Sequence, residues 1–297
     1  MALTKLLSRP RRRVRFQVMS DLHLEIIQQY SKFQIKPRAM RLILAGDIGR
    51  LADYEAFRDF LGTQCGQFVA VYLVLGNHEF FGVSRQEGLR RADNLQSEPV
   101  MNGRLVIMNQ KRVDIQDITL LGCTLHSRIL PEAEEIVGRK INDFRQIVDW
   151  TVANHNLEHL NDVKWLRNEI TAIRSTEAGL KQKIVVISHH APSTKGTSSP
   201  SNEGNPWSSA FGTDLLLSEE NSCFNDVQWW IYGHTHHSAQ SVSGEVRLIS
   251  NQRGYVFPQP DHDEPGSSAG FMSQLRKFWA NDKSLQVLFD PEKIIDV

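Results

Sequence analysis

The sequence predicts an α/β fold built on parallel strands, and three observations lead there. Strand-length apolar runs recur along the chain without the polar alternation of a half-exposed sheet, as expected of strands covered on both faces. The stretches between several of them carry apolar residues at helical spacing. Five of the runs stop at residues with metal or proton chemistry, at the strand ends where open α/β folds keep their sites.

In order, Val14 to Met19 reads as the first strand and ends in Ser20-Asp21-Leu22-His23. Glu25 to Pro37 reads as irregular or a short helix, and Leu42 to Ala45 as a strand ending in Gly46-Asp47. Tyr54 to Leu61 has helical spacing, with Phe57, Phe60 and Leu61 on one side. Val69 to Leu75 is a strand ending in Gly76-Asn77-His78-Glu79, and Gln86 to Asn94 a charged helix. Leu105 to Met108, Arg112 to Ile115 and Ile118 to Cys123 read as short strands of a meander. Leu157, Leu160, Val163, Leu166, Ile170 and Ile173 mark a helix that Asn154 or Asn156 could cap. Ile184 to Ile187 is a strand ending in Ser188-His189-His190. Ser193 to Ser209, rich in Ser, Gly, Asn and Pro, reads as a substrate-facing surface loop. Val227 to Tyr232 is a strand ending in Gly233-His234-Thr235-His236-His237, and Val246 to Ser250 closes the sheet.

At 297 residues the chain fits one large α/β domain over 14–257. A basic leader, 1–13, precedes it. A linker and C-terminal extension, 258–297, follow and are expected to pack on its outside. Lys+Arg and Asp+Glu both number 34, so no net field favours a nucleic-acid or membrane-surface partner. The 3 cysteines are odd in number and widely spaced, which suits a reducing compartment such as the cytoplasm and no thiolate zinc site. The Arg-rich, acid-free beginning also matches a mitochondrial presequence in composition, although the first strand starts almost at once.

Together the strand ends supply Asp21, His23, Asp47, Asn77, His78, His189, His234 and His236. Oxygen and imidazole donors without thiolate suit Mn, Fe, Zn, Ni or Mg. Asp21 and His23 are two apart, as are His234 and His236, so on extended backbone each pair can face one site. This set is too large for one ion and about right for two, which at ~3.5–4 Å apart need a bridging carboxylate. Asp47, alone at its strand end, is the natural bridge. Two divalent ions less two carboxylates leave a positive surplus that favours a phosphate-type anion.

Asp21-Leu22-His23, Gly46-Asp47, Gly76-Asn77-His78-Glu79, His189 and Gly233-His234-Thr235-His236 resemble, in order, the five blocks of the calcineurin-like metallophosphoesterase superfamily, over about Val14 to Ser250. The resemblance implies a four-layer αββα sandwich with two mixed sheets and two divalent metals at the strand ends. It implies that Asp21, His23 and His236 hold one metal, Asn77, His189 and His234 the other, and that Asp47 bridges. His78 would be no ligand but a proton donor to the leaving group or a stabiliser of the phosphoryl charge, with a metal-bridging hydroxide attacking phosphorus in line.

The blocks depart from two subfamilies. Phosphoprotein phosphatases carry an Asp-Arg pair soon after the second-block aspartate and an arginine after Gly-Asn-His-Glu. Here Ile48-Gly49-Arg50 and Phe80-Phe81-Gly82 stand there. Purple acid phosphatases place a tyrosine where Arg50 stands. The remaining likeness is to class III cyclic-nucleotide phosphodiesterases and small phosphomono- and diesterases.

Arg50, Arg128 and His126 are candidate substrate contacts, a guanidinium fork matching phosphate oxygens. His155 and His159 are read as solvated or packing, Phe80, Phe81, Trp229 and Trp230 as core. His190 and His237 are expected to point away from the site by strand alternation. The expected function is hydrolysis of a phosphomono- or phosphodiester of a small or nucleotide-like substrate. The alternatives are a nucleotide pyrophosphatase and a non-catalytic scaffold of the same fold, like the retromer subunit that has lost metal residues.

Overall fold

The apolar runs become strands where β-branched and leucine side chains can be covered on both faces. A computed structural model describes residues 13–257 and 288–297. In one sheet, β1 (Arg15–Met19), β2 (Arg41–Ala45), β3 (Ala70–Val74) and β4 (Leu105–Ile107) pair in parallel. In the other, β6 (Ile118–Cys123), β7 (Lys183–Ser188), β8 (Val227–Tyr232) and β10 (Val246–Ser250) pair in parallel, with β5 (Lys111–Ile115) and β9 (Gln240–Ser243) antiparallel at its two edges. The helices are α1 (Tyr54–Gln67), α2 (Arg85–Ser97), the short α3 (Glu134–Lys140) and α4 (Asp143–Gln146), and α5 (Val152–Arg174).

Side-chain alternation sorts these elements into four layers. Leu42 and Leu44 of β2 pack with Phe57, Leu61 and Leu95 of α1 and α2. Ile43 and Ala45 face the other way and meet Val185, Ile187 and Ile231 between the sheets. Ile184 and Val186 pack with Leu166 and Ile170 of α5. Trp229 lies in the inter-sheet core and Trp230 on the α5 side, where its indole N–H donates to Ser188 Oγ at 2.9 Å. The αββα sandwich with two mixed sheets is therefore the observed fold.

Five expectations need correcting. The three strands from Leu105 to Cys123 form no meander: β4 pairs with β3 in the first sheet, and only β5 and β6 pair with each other, in the second. β10 does not close its sheet: β9 pairs outside it, joined to it by a tight turn at Gly244, whose φ is +58°. Gln240-Ser241-Val242-Ser243 is too short and polar to read as a strand, and an edge position tolerates that. The chain end does not merely lie on the outside. β11 (Ile294–Asp296) adds antiparallel to β1, and Ile295 enters the core between the sheets. Of the predicted leader and linker, residues 1–12 and 258–287 lie outside the described residues. Helix α5 begins five residues before the apolar pattern. Thr151 caps it and Asn154 returns the bond, a capping box. Leu157 and Leu160 are 54% and 61% exposed, because His155, His159 and Asp162 take the inward positions there. Among the described residues no helix is long and apolar enough to cross a membrane.

Candidate metal centre

All five motif-bearing strand ends meet where the carboxyl edges of the two sheets come together. Cross-sheet bonds lock the meeting. His234 N–H donates to both Asp21 carboxylate oxygens at 3.0 and 3.1 Å, His189 Nδ1–H to the Ala45 carbonyl at 2.9 Å, and Thr124 Oγ to the Leu75 carbonyl at 2.8 Å. The strands stop before the donors begin: β1 ends at Met19 and β8 at Tyr232. Convergence is thus not by strand alternation. Asp21, His23, Asp47, His234 and His236 have φ of 53°, 48°, 55°, 73° and 50°, the left-handed region that non-glycine residues avoid. Such conformations cost on the order of 1–3 kcal/mol each and persist where surrounding structure over-determines them, typically at working sites. Gly46, at φ +88°, lies so close to the His189 ring that a Cβ there would run into it.

Donor atoms of Asp21, His23 and His236 lie within 4.8 Å of one another, as do those of Asp47, His189 and His234. His23 Nε2 is 2.8 Å from His236 Nε2 and 4.0 Å from Asp21 Oδ1. His189 Nε2 is 3.0 Å from Asn77 Oδ1 and 3.3 Å from Asp47 Oδ1. Asp47 Oδ2 faces the other set, 3.9 Å from His23 Nε2. One carboxylate therefore touches both sets. Surrounding groups fix the donors' orientation. His189 gives its Nδ1–H to Ala45, which leaves Nε2 as a lone-pair donor. Asn77 gives its amide to Asp143 Oδ1 at 2.8 Å, which turns its oxygen inward. His234 Nε2–H reaches the Ala210 carbonyl at 3.3 Å, leaving Nδ1 as the available donor.

The residues fit divalent cations. Donors held about 2.0–2.2 Å from an ion lie roughly 3–3.5 Å from one another, near the separations seen here. The charge pattern agrees. Burial lowers the pKa of His189, but Asp47 and Asp21 outweigh it and draw it up to about 10. Burial likewise opposes a charged His78, and Asp47, Glu25 and Asp143 raise it to about 9. Burial pushes Asp21 up to about 6, whereas for Asp47 the imidazoles of His189 and His78 outweigh burial and hold the carboxyl well below its ordinary range. His234 and His236 are held neutral, by burial and by neighbouring imidazoles. A buried site whose carboxylates pull this hard for positive charge is one that divalent ions would satisfy.

His78 stands apart. Its Nδ1 is 2.8 Å from Glu25 Oε1 and its Nε2 3.0 Å from Tyr255 Oη, while Asp47 Oδ2 is 3.9 Å away. His23, Glu25 and His78 form a third group with mutually close donors, so a ligand role for His78 is the competing geometry. Burial alone would raise Glu25, but hydrogen bonds to His23 and His78 bring its pKa down to about 2.

The other candidates fall elsewhere. The Arg50 guanidinium is bound to Asp53 through both Nε and Nη2, at 3.1 and 2.9 Å, the ordinary ion-pair arrangement. His126 is 4% exposed and packs against Trp150, His155 and His190, ring centroids 5.1 to 5.5 Å apart, with Nδ1 3.8 Å from Asp162. Arg128 is exposed. His155 and His159 are both buried. His155 Nε2 accepts from Ser127 N, and His159 Nδ1–H reaches the carbonyls of Leu125 and His126, so both pin the loop after β6. His190 does not simply point away: its ring stacks on His234 at 3.9 Å. Phe80 and Phe81 are both core, and the Phe81 ring also lies 4.1 Å from that of His78.

Four contributors escaped the sequence reading: Glu25, Asp143, Tyr255 and the role of Glu79. Only Glu79 had a local signal, its place in Gly-Asn-His-Glu. Its Oε2 accepts from Asp47 N and Gly76 N at 2.9 and 2.7 Å, and its Oε1 from Ile48 N and Gly49 N at 2.8 and 3.4 Å. It ties the β2 and β3 ends together. Glu79→Gln turns one acceptor oxygen into a donor facing backbone N–H groups. We expect it to lower unfolding free energy by about 2–4 kcal/mol in urea titration and to weaken metal binding by about 10–100-fold. Unchanged values for both would show that the clamp is dispensable.

Fold and site together define a metal-binding α/β sandwich. The chain belongs to the calcineurin-like phosphoesterase family, whose model matches residues 14–238. It is 25% identical over 263 residues to the uncharacterized protein L509 of Acanthamoeba polyphaga mimivirus, covering 80% of this chain and 90% of that protein. Among solved structures it is similar to the phosphopantetheinyl hydrolase PptH of Mycobacterium tuberculosis (TM-score 0.59, 17% identity, 86% of this chain and 99% of that one). It is also similar to a dimetal phosphatase from Danio rerio (TM-score 0.45, 14% identity, 80% and 87%).

Proposed function

We propose that this chain is a phosphoric ester hydrolase that binds two divalent ions and cleaves a phosphomono- or phosphodiester of a small or nucleotide-like molecule. One ion would be held by Asp21, His23 and His236, the other by Asn77, His189 and His234, with Asp47 shared. The observation that carries the reading is the Asp47 carboxylate, one oxygen 3.3 Å from His189 and the other 3.9 Å from His23. Mn, Fe, Zn, Ni and Mg all suit the donor set. When bound, such ions neutralise phosphate charge and lower the pKa of water.

The chain's own residues supply the rest. Glu25 holds His78 Nδ1 and so fixes the ring with Nε2 toward Tyr255 Oη and the site, from where a hydrogen bond or a proton can pass to the departing oxygen. Ala45, Asp143 and Ala210 orient three of the donors. Beside His234 lies a cleft with Ser193, Thr194, Thr197, Trp207, Phe211 and Thr235 in its wall. Phe211 stacks on His234 at 4.9 Å, and Thr235 stands between two donor histidines. Neutral hydroxyls beside aromatic faces favour a small organic group over an acidic or basic protein segment.

The test is turnover of p-nitrophenyl phosphate and bis-p-nitrophenyl phosphate by purified protein with each of the five metals. Hydrolysis with at least one of them, abolished by chelator and restored by that metal, is expected. No turnover with any metal on a broad ester panel, despite full metal loading, would leave the scaffold reading instead.

A further inference from the structure

We propose that Tyr255 contacts the substrate, its phenol hydroxyl hydrogen-bonding the oxygen that leaves phosphorus; this rests on the phosphoesterase reading above. The Tyr255 ring lies over the first donor set, its centroid 4.3 Å from that of His23 and 4.6 Å from that of His236. Its hydroxyl is 3.0 Å from His78 Nε2, the atom which that reading turns toward the leaving group. Glu25, His78 and Tyr255 thus form a line of polar groups from three separate parts of the chain, with the phenol at one end and over the first donor set.

The placement is built. Tyr255 follows β10 through Gly254, whose φ is +69°. Arg253 anchors the segment to the loop that carries Asp21 and His23. Its N–H donates to the Ser20 carbonyl at 3.2 Å, its Nη1 to the Leu22 carbonyl at 3.0 Å, and its Nη2 to Gln29 Oε1 at 2.7 Å. The guanidinium also lies 4.6 Å over the Phe33 ring. A residue needed only to fill this space could be phenylalanine. The hydroxyl matters because it has one hydrogen and two lone pairs, so it can hold Nε2 and a substrate oxygen together.

In hydrolysis the bond from phosphorus to the ester oxygen breaks and its electron pair stays on that oxygen. Water supplies both the oxygen gained by phosphorus and the proton gained by the leaving group. A donor placed at the leaving oxygen helps most where negative charge is least stabilised by the leaving group itself.

The experiment compares wild type, Tyr255→Phe and Tyr255→Leu on p-nitrophenyl phosphate and unsubstituted phenyl phosphate. It also measures metal content by plasma emission and inorganic phosphate binding by calorimetry. For Tyr255→Phe we expect wild-type metal content and phosphate affinity within about two-fold. Its kcat should fall about 10–100-fold on the phenyl ester and clearly less on the p-nitrophenyl ester. Tyr255→Leu should show the same leaving-group dependence. Equal losses on the two esters, no loss on either, or metal loss from Tyr255→Phe would overturn the assignment while leaving the phosphoesterase reading intact. A metal-loaded wild type inactive on both esters and on the matching methyl p-nitrophenyl and methyl phenyl phosphate diesters, on which the same comparison is made if only diesters turn over, overturns that reading, and this one with it.

Discussion

Asp47→Asn is expected to lower ester turnover on the order of a thousand-fold, and to lower bound metal with it. The substitution is nearly isosteric, and Oδ1 can still accept from His78 N–H, 2.9 Å away. The fold should therefore survive. An amide, however, offers one acceptor oxygen and no charge. It cannot present a carboxylate oxygen both to His189 and to His23, which lie on opposite sides of it. Metal content by plasma emission and thermal melting on the same preparation separate loss of the bridge from loss of the fold. Full turnover and full metal in the Asp47→Asn protein would remove the basis for a shared carboxylate.

His78→Ala should behave differently: turnover lower by about 10²–10⁴-fold with metal content near wild type. The expectation follows from where its ring nitrogens go. One is taken by Glu25 and the other by Tyr255, so that although the ring packs against His23 at 4.4 Å as well as against Phe81 at 4.1 Å, both nitrogens are engaged outside the two metal sets. The close group of His23, Glu25 and His78 supplies the opposite expectation, that His78 binds an ion. Metal stoichiometry decides: a proportional fall in bound metal and turnover would make His78 a ligand. Because a proton donor matters most to a poor leaving group, the loss should be greater on phenyl than on p-nitrophenyl phosphate.

Much of the fold was legible because each apolar run is a chemical statement about burial. Ile118 to Cys123, Val227 to Tyr232 and Val246 to Ser250 form strands over the ranges their composition marks. The misses are equally physical. Gln240 to Ser243 has no apolar face of its own and becomes a strand only because β10 offers it an edge. Ile294 to Asp296 is strand-like in composition, but nothing nearby in sequence says that β1 is its partner. On α5, Leu157 and Leu160 look like core positions. Yet the inward face there is polar, because the loop after β6 needs His155, His159 and Asp162 for its backbone N–H and carbonyl groups.

The four-layer sandwich was implied by family resemblance, and by itself the sequence determined the α/β class and the candidate donor residues. Both are local properties: a run of apolar side chains must be covered, and a short motif at a strand end carries its chemistry with it. Only the tertiary structure decided how those donors are aimed. Left-handed turns, not strand alternation, bring them together, and one clamp, Glu79, joins two strand ends. Glu25, Asp143 and Tyr255 reach the site from positions with no motif of their own. The reason is that orientation depends on hydrogen bonds between groups far apart in the chain, and such bonds leave no periodic trace in composition or spacing.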